Sequence, residues 1–503
     1  MDVLSYLVTS WADPLLLFLT AAGTLAGIYV GAIPGLSVTM AASILISFTF
    51  NWSTNEALAL IVGVFVGGVY GGSRTAILLN IPGAPASIAT ALDGYPMAQK
   101  GKAGEAIGLT TTMSVMAGLI GVLVLALFAP LVADFAIRFN SRDYMLLGII
   151  GIMLVGTLAG KSLAKGLFSG ALGVLIGLVG MDSMTAQPRF TFDTMALLSG
   201  VPYIVVMIGF FGVAEALFQV RTLDTPAVRQ KVDRIIPRLS DIKKHFWLAI
   251  RASGIGAIVG ALPGAGGDTA ALLAYDHAKR STRKPETPFG EGAEEGLVAP
   301  EAANGAAVGG AFIPMLTLGI PGDAVTAVII GALYIHGLNP GPMLMVNTPD
   351  LFWFIVGTLV LANLFLLVFG LTGIRVFTKI VECPKAVLIP LIIVLSAVGA
   401  YAIENNPVHV YWVLLFGVVG YFMKLYGFAM GPVILGAILG PMIDDNYRRA
   451  MSSARGDWGN FLFNLVSNPI SLVLTLFLVS MLLSQTPLKG WLVSLISRRA
   501  SAN

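Results

Sequence analysis

The chain has 503 residues, of which 56% are hydrophobic and only 11% charged, with a mean hydropathy of +0.85. A soluble domain carries about 25% charged residues, so composition excludes a soluble protein over most of the length, and no polar stretch is long enough for a separate catalytic domain. The net charge of +3 offers no basis for a nucleic-acid partner, the lone Cys383 excludes an intrachain disulfide, and four scattered histidines (245, 277, 336, 409) have no metal-ligand spacing.

In chain order, the opening MDVLSYLVTSWADP holds two Asp and no Lys or Arg, so a cleavable signal peptide is not expected. Apolar runs follow at 15–33, 107–133, 195–220, 350–374 and 459–485. Runs of about 20 apolar residues cross the ~30 Å hydrocarbon core as helices, whereas a membrane β-barrel shows short alternating strands. The expectation is an all-α integral membrane protein with about 10–12 transmembrane segments. Glycine (58) and proline (26) cluster inside the apolar runs, where proline removes a helix N–H and clashes with the preceding turn.

The clusters repeat. GAIPG at 31–35 recurs as GALPG at 260–264, YGGSRTAILLNIPG at 70–83 as VGGAFIPMLTLGIPG at 308–322, and VLIGLVGMD at 174–182 more weakly as VILGAILGPMID at 433–444. The order is the same in both halves, at offsets of 229, 239 and roughly 260. Matched loops differ in charge: FNWSTNE (50–56) has no Lys or Arg, but its counterpart holds Lys279, Arg280, Arg283 and Lys284. Conversely MAQKGK (97–102) has two lysines and HGLNPGPMLMVNTPD (336–350) has none. Cytoplasmic loops collect Lys and Arg, so corresponding loops are expected on opposite sides, as in two inverted-topology repeats with broken helices or re-entrant hairpins. The boundaries are then 1–220 for the first repeat, 221–245 for a basic cytoplasmic linker and 246–503 for the second repeat. The N-terminus is expected outside. Arg498 and Arg499 favour an inside C-terminus, which an extra span in one half would reconcile.

Broken backbone at membrane depth survives only when buried in protein or lining a wet cavity. Paired breaks at Pro34, Pro82, Pro263 and Pro321 therefore predict a central site. Half-helix N-termini offer N–H donors and partial positive charge to an anion, and exposed oxygens suit Na⁺. The candidate substrate residues are Ser73, Arg74, Thr75, Asn80, Pro82, Gly83, Asn304, Thr317, Pro321 and Gly322. The candidate cation residues are Gly31, Pro34, Ser37, Thr39, Gly264, Asp268 and Thr269. Arg74 is an intramembrane cation whose planar fork suits a carboxylate. Asp323 reads equally as an N-cap, and Glu301 as a solvated loop acid. No cofactor is expected beyond Na⁺ or H⁺ as coupling ion, and no metal beyond sodium.

The stretches GGSRTAILLNIPGAPASIATALDGYPMAQKGKAGEAIG and EGLVAPEAANGAAVGGAFIPMLTLGIPG, over about residues 15–485, resemble the large membrane subunit of the tripartite tricarboxylate transporters. The resemblance implies a bacterial inner-membrane permease that works with a small four-helix membrane subunit and a periplasmic solute-binding protein. It also implies ion-driven uptake of carboxylates such as citrate, without ATP. No G-x-x-x-x-G-K-[ST] sequence is present. The expected activity is gradient-driven import of a small carboxylate, not an enzymatic one. A channel-like carboxylate permease is the alternative. An intramembrane aspartyl enzyme is a remote third, because Asp268 and Asp276 would share one short helix and could not face each other.

Overall fold

The computed structural model describes residues 11–33, 36–158, 162–182, 184–222, 235–373 and 385–484. Pro34, Cys383, Arg498, Arg499 and positions 223–234 of the expected linker lie outside these residues. The described chain is helical almost throughout. Its only strands are Gly180–Met181 and Pro188–Arg189, paired antiparallel.

The first half runs α1 (Pro14–Ala32), α2 (Val38–Thr49), α3 (Thr54–Leu79), α4 (Ser87–Met97), α5 (Ala103–Ala136), α6 (Ser141–Leu158), α7 (Leu163–Gly177) and α8 (Tyr203–Gln219). The second runs α9 (Leu239–Gly260), α10 (Gly266–Ser281), α11 (Glu295–Leu318), α12 (Ala324–Ile335), α13 (Pro349–Thr372), α14 (Lys385–Glu404), α15 (Pro407–Leu425), α16 (Gly431–Ser453), α17 (Trp458–Ser467) and α18 (Pro469–Ser484). By length and apolarity α1, α3, the continuous stretch Ser87–Ala136, α13 and α15 can each cross a membrane, and α17 with α18, bent by 97°, would make a sixth span. The chain is a multi-pass α-helical membrane protein. Length and hydropathy mark fewer spans than the sequence expectation because long helices such as α9, α11 and α16 carry Gly, Ala and polar residues for helix packing.

Helices α3 and α11 form the centre, each buried along almost its whole length. Glycine lets their neighbours approach to backbone contact. A Cβ on Gly27 or Gly31 of α1 would strike the carbonyl of Val64 or Gly68 in α3, and one on Gly71 that of Ile28. The equivalent contacts recur 229 and 239 residues on: Gly256 against Ala303, Gly260 against Ala307, and Gly310 against Ala257. Pair α1–α3 and pair α9–α11 therefore pack in the same register. Further along, α7 meets α16 through Gly173 against Val433 and Gly436 against Gly170. In the later turns of α16 and the loop after α7, Asp182 and Asp444 share Arg189, at 2.8 and 2.9 Å, and Arg448, whose Nη1 lies 2.8 Å from Asp182.

The loops sort by charge. Lys100, Lys102, Lys244, Glu286 and Glu294 line one small surface pocket, with Lys244 Nζ 2.8 Å from Glu286. Asp93 of the DGYP motif ties this region down, accepting hydrogen bonds from the backbone N–H groups of Gly290, Gly292 and Ala293 (2.8–2.9 Å) and from the Tyr275 hydroxyl (2.9 Å). The two loops without basic residues also meet, through His336 Nε2 and the Trp52 carbonyl at 3.2 Å.

Candidate functional site

Each half contains two helix interruptions, and the later one has the same local form in both. α3 ends at Asn80, left-handed at φ 55°, and the amides of Asn80 and Ile81 both return to the Thr75 carbonyl. α11 ends at Gly319, left-handed at φ 71°, and the amides of Gly319 and Ile320 both return to the Pro314 carbonyl. The following Pro-Gly cannot continue the helix. The chain then restarts as α4 in one half and α12 in the other. Asp323 caps α12, its Oδ1 accepting from the Thr326 amide at 2.7 Å. The Ala86 side chain gives α4 no such cap.

The earlier interruptions restart α2 and α10. Ser37 caps α2 by accepting from the Met40 amide at 3.0 Å. α10 starts after Gly264 (φ 76°) and at Gly266 (φ 56°), conformations that glycine adopts without strain. Gly264 donates to the Gly322 carbonyl at 2.8 Å, which links the two interruptions of the second half.

The N-termini of α2, α4, α10 and α12 all border one cavity of about 470 Å³. Its lining includes Leu36–Thr39, Gly83–Ala86, Gly264–Thr269 and Asp323–Val325, with Gly31, Asn304, Phe65, Val69, Val308 and Leu435. No Lys, Arg or His is among the lining residues. The helix N-termini, each equivalent to about half a positive charge, share the lining with the carboxyl groups of Asp268 and Asp323. At the start of α4 the Ala86 amide is taken by Asp268 and those of Ser87 and Ile88 turn back to the Ala84 and Pro85 carbonyls, so the lining amides left for an anion are those of Ala84, Gly266 and Gly267. Asp268 is solvent-accessible and its Oδ1 accepts from the Ala86 amide at 3.0 Å, one hydrogen bond that joins the two halves across the cavity. Asn304 is fixed by donating from Nδ2 to the Val69 carbonyl at 3.1 Å. The cavity has the volume for a small organic anion, and Asp268, Ser37, Thr39 and Thr269 add side-chain oxygens to its lining.

The expected site residues fall into two groups. Gly31, Ser37, Thr39, Gly83, Asn304, Gly264, Asp268 and Thr269 line the cavity, while Pro34 lies outside the described residues. Ser73, Arg74, Thr75, Asn80, Pro82, Thr317, Pro321 and Gly322 are not in the lining. Thr75 and Asn80 build the end of α3, Thr317 donates to the Ile313 carbonyl at 2.7 Å, and Pro82, Pro321 and Gly322 shape the breaks. The Arg74 guanidinium, 1% exposed, donates to the Gly370 carbonyl at 2.6 Å and the Phe369 carbonyl at 3.4 Å, in the last turn of α13. Ser73 donates to Glu301 at 2.5 Å. Glu301 is not the solvated loop acid the sequence indicates: it lies inside α11 and is 1% exposed. Asp276 pairs with Arg280 on the surface of α10 while Asp268 faces the cavity from the same helix, so the two form no catalytic dyad. The sequence points to half-helix N–H donors after the prolines but does not single out those of Ala84, Gly266 and Gly267, whose local signal is the run of small residues after each proline.

The model of the tripartite tricarboxylate transporter TctA family matches residues 17–435. A relative from Agrobacterium vitis, described as an uncharacterized 52.8 kDa protein in the TAR-I ttuC' 3' region, is 38% identical over 453 residues and covers 89% of each chain. A second protein from that organism, described as an uncharacterized protein in the TAR-II ttuC' 3' region, is 39% identical over 233 residues, 46% of this chain and 94% of its own. No solved structure matches.

Proposed function

The chain belongs to the TctA family of tripartite tricarboxylate transporters, and from that premise we propose that it is the carrier subunit that moves a di- or tricarboxylate through the cavity by alternating access, driven by a cation gradient. The family is one of transporters, not enzymes. The observation behind the reading is the convergence of four helix N-termini on a cavity without basic side chains. Such a site binds carboxylates through backbone N–H groups and releases them more readily than an arginine clamp would. The amides of Ala84, before α4, and of Gly266 and Gly267, at the start of α10, are assigned the substrate carboxylates, with Asn304 in the same lining. Asp268, Thr269, Thr39 and Ser37 are assigned the coupling cation, Na⁺ or H⁺, because an acid in an anion site needs a cation to balance it.

Orientation follows from the loops. The face that gathers Lys100, Lys102 and Lys244 is assigned to the cytoplasm, and the face where Trp52 meets His336 to the periplasm. That assignment supports two inverted repeats with a periplasmic N-terminus in the bacterial inner membrane. The family organisation supports a periplasmic binding protein that delivers substrate to the second face, and a small four-helix membrane subunit beside the lipid-facing helices.

The test is uptake of labelled tricarboxylates and dicarboxylates by proteoliposomes holding this chain, the small subunit and the binding protein. A cation gradient should drive accumulation without ATP, and Asp268→Asn should abolish the dependence on that cation. Flux that no gradient drives above equilibrium would instead establish a channel.

A further inference from the structure

A buried acid outside the cavity lining has no part in the reading above. Glu301 lies in the second turn of α11 and is 1% exposed. Its Oε1 accepts from the hydroxyls of Ser73 on α3 and Thr90 on α4, both at 2.5 Å. Its Oε2 is buried with no hydrogen-bond partner among the described residues, and Glu301 forms no ion pair with any of them.

Charged groups on the surrounding helices are engaged elsewhere. On α3, Arg74 donates to the carbonyls at the end of α13. On α4, Asp93 is enclosed by three backbone amides and Tyr275. On α10, Asp268 meets the Ala86 amide, and Asp276 pairs with Arg280 near the far end, where His277 also lies. On α9, Lys244 and His245 hold Glu294, and Arg251 is exposed. On α5, Glu105 pairs with Lys102 at the surface. An ionised carboxylate at Glu301 would therefore be buried, uncompensated and half-solvated by two hydroxyls, a state that proteins avoid by neutralising the group. A protonated carboxyl fits: its carbonyl oxygen accepts both hydroxyl bonds and its other oxygen carries the proton.

The position of Glu301 links it to the cavity. Asn304, three residues on and so on the same face of α11, lines the cavity. α4, which carries Thr90, begins at the Ala86 amide that Asp268 holds. Ser73 adjoins Gly72, whose carbonyl accepts from the Gly83 amide of the lining at 3.4 Å. A shift of α4 away from α11 would part Thr90 from Glu301.

We infer that Glu301 is a proton-binding site of the transport cycle, loaded in the conformation described here and unloaded when α4 moves away from α11. The proton leaves Glu301 for water on the side to which the cavity then opens, and the carboxylate regains one from the opposite side on return. This rests on the carrier reading and adds to the cation at Asp268 a second, separate site.

The test uses the same proteoliposomes, with Na⁺ equal on both sides and an imposed inside-alkaline pH gradient. Glu301→Gln copies the protonated carboxyl and cannot release a proton. It should lower pH-driven accumulation of labelled citrate and other tricarboxylates about tenfold or more, and leave exchange of internal for external substrate within about twofold of wild type. Glu301→Asp, which still titrates, should regain part of the pH response. Unchanged pH-driven accumulation in Glu301→Gln overturns the proposal. So does a wild type that accumulates substrate under a Na⁺ gradient and ignores the pH gradient, a result that leaves the carrier reading standing. A wild type that accumulates nothing under either gradient defeats the carrier reading itself. A second measurement needs no variant: dicyclohexylcarbodiimide modifies protonated carboxyls in apolar surroundings, so mass spectrometry of the wild-type complex should find Glu301 labelled, and faster at lower pH. An unlabelled Glu301 overturns the proposal.

Discussion

Replacing Arg74 separates a substrate-binding arginine from one that holds two helices together. α13 ends at Thr372, and its last four carbonyls have no partner within the helix. Arg74 supplies a donor to one of them, that of Gly370, at 2.6 Å, and a longer contact to the Phe369 carbonyl, which already accepts from the Gly373 amide; its guanidinium carbon lies 5.4 Å from the Tyr70 ring centroid. A hydrogen bond from a charged donor contributes about 1.5–3 kcal/mol, and a cation at a partly buried helix C-terminus up to about 2 kcal/mol. Arg74→Ala should thus lose about 2–5 kcal/mol, the two contributions together. Arg74→Lys keeps the charge, loses the fork, and should lose about 1–2 kcal/mol. The assay pairs thermal unfolding of the purified protein in detergent with substrate dependence in proteoliposomes. Both variants should unfold at lower temperature, Arg74→Lys less so, while the apparent KM of Arg74→Lys stays within about twofold of wild type. An Arg74→Lys protein of unchanged stability whose KM rises about tenfold, equivalent to about 1.4 kcal/mol of lost binding, would refute this reasoning and put Arg74 on the substrate.

Gly27→Ala and Gly256→Ala would each drive a methyl into a facing backbone carbonyl, that of Val64 or Ala303, and each should lower stability in thermal unfolding by about 1–3 kcal/mol. Gly254→Ala is the control: it lies in α9 with nothing within 4 Å of an added Cβ, and should be neutral or gain about 0.4–1 kcal/mol. Glu294, in the charged turn before α11, is held at about 2, below its ordinary 4.5, chiefly by the hydrogen bond from His245 and further by Lys244. A depressed carboxyl contributes stability above its unfolded pKa and loses it as pH falls through the folded one. Glu294→Gln should therefore unfold at lower temperature than wild type at neutral pH, and the difference should shrink as pH falls from 4.5 towards 2. A difference that does not change with pH would mean that the loss is one of packing, not charge.

The interruptions were legible because proline and glycine have local rules. Pro82, Pro263 and Pro321 stand where helices stop, and the caps at Asn80 and Gly319 fall 239 residues apart, as the matched motifs do. Ser37, Thr39, Asp268 and Asn304 were legible as cavity residues because each lies within a turn or two of a break or of its facing helix. Arg74 and Glu301 were not. The Arg74 acceptors lie on α13 and the Glu301 donors on α3 and α4, all more than 200 positions away. No local pattern distinguishes a cation bound for a substrate from one bound for a helix end. Glu301 misleads further because it closes a charged stretch and yet is enclosed, since α11 is buried on every side.

The backbone donors had the weakest signature, and they bear most on function. An arginine clamp would announce itself in sequence, but a helix N-terminus leaves only small residues such as GAPAS and GAGG. The choice also has a mechanical consequence. A guanidinium on a flexible stem could follow a substrate through a moving site, whereas N–H donors at the starts of α4 and α10 keep their geometry only while those two helices stay in place. The Asp268–Ala86 hydrogen bond sets that placement across the halves. In a carrier, separation of α4 from α10 would break that bond and disperse the donors together, so one motion would both open the cavity and weaken its hold on the anion. A channel gains nothing from such linkage, because its site must remain intact as ions pass.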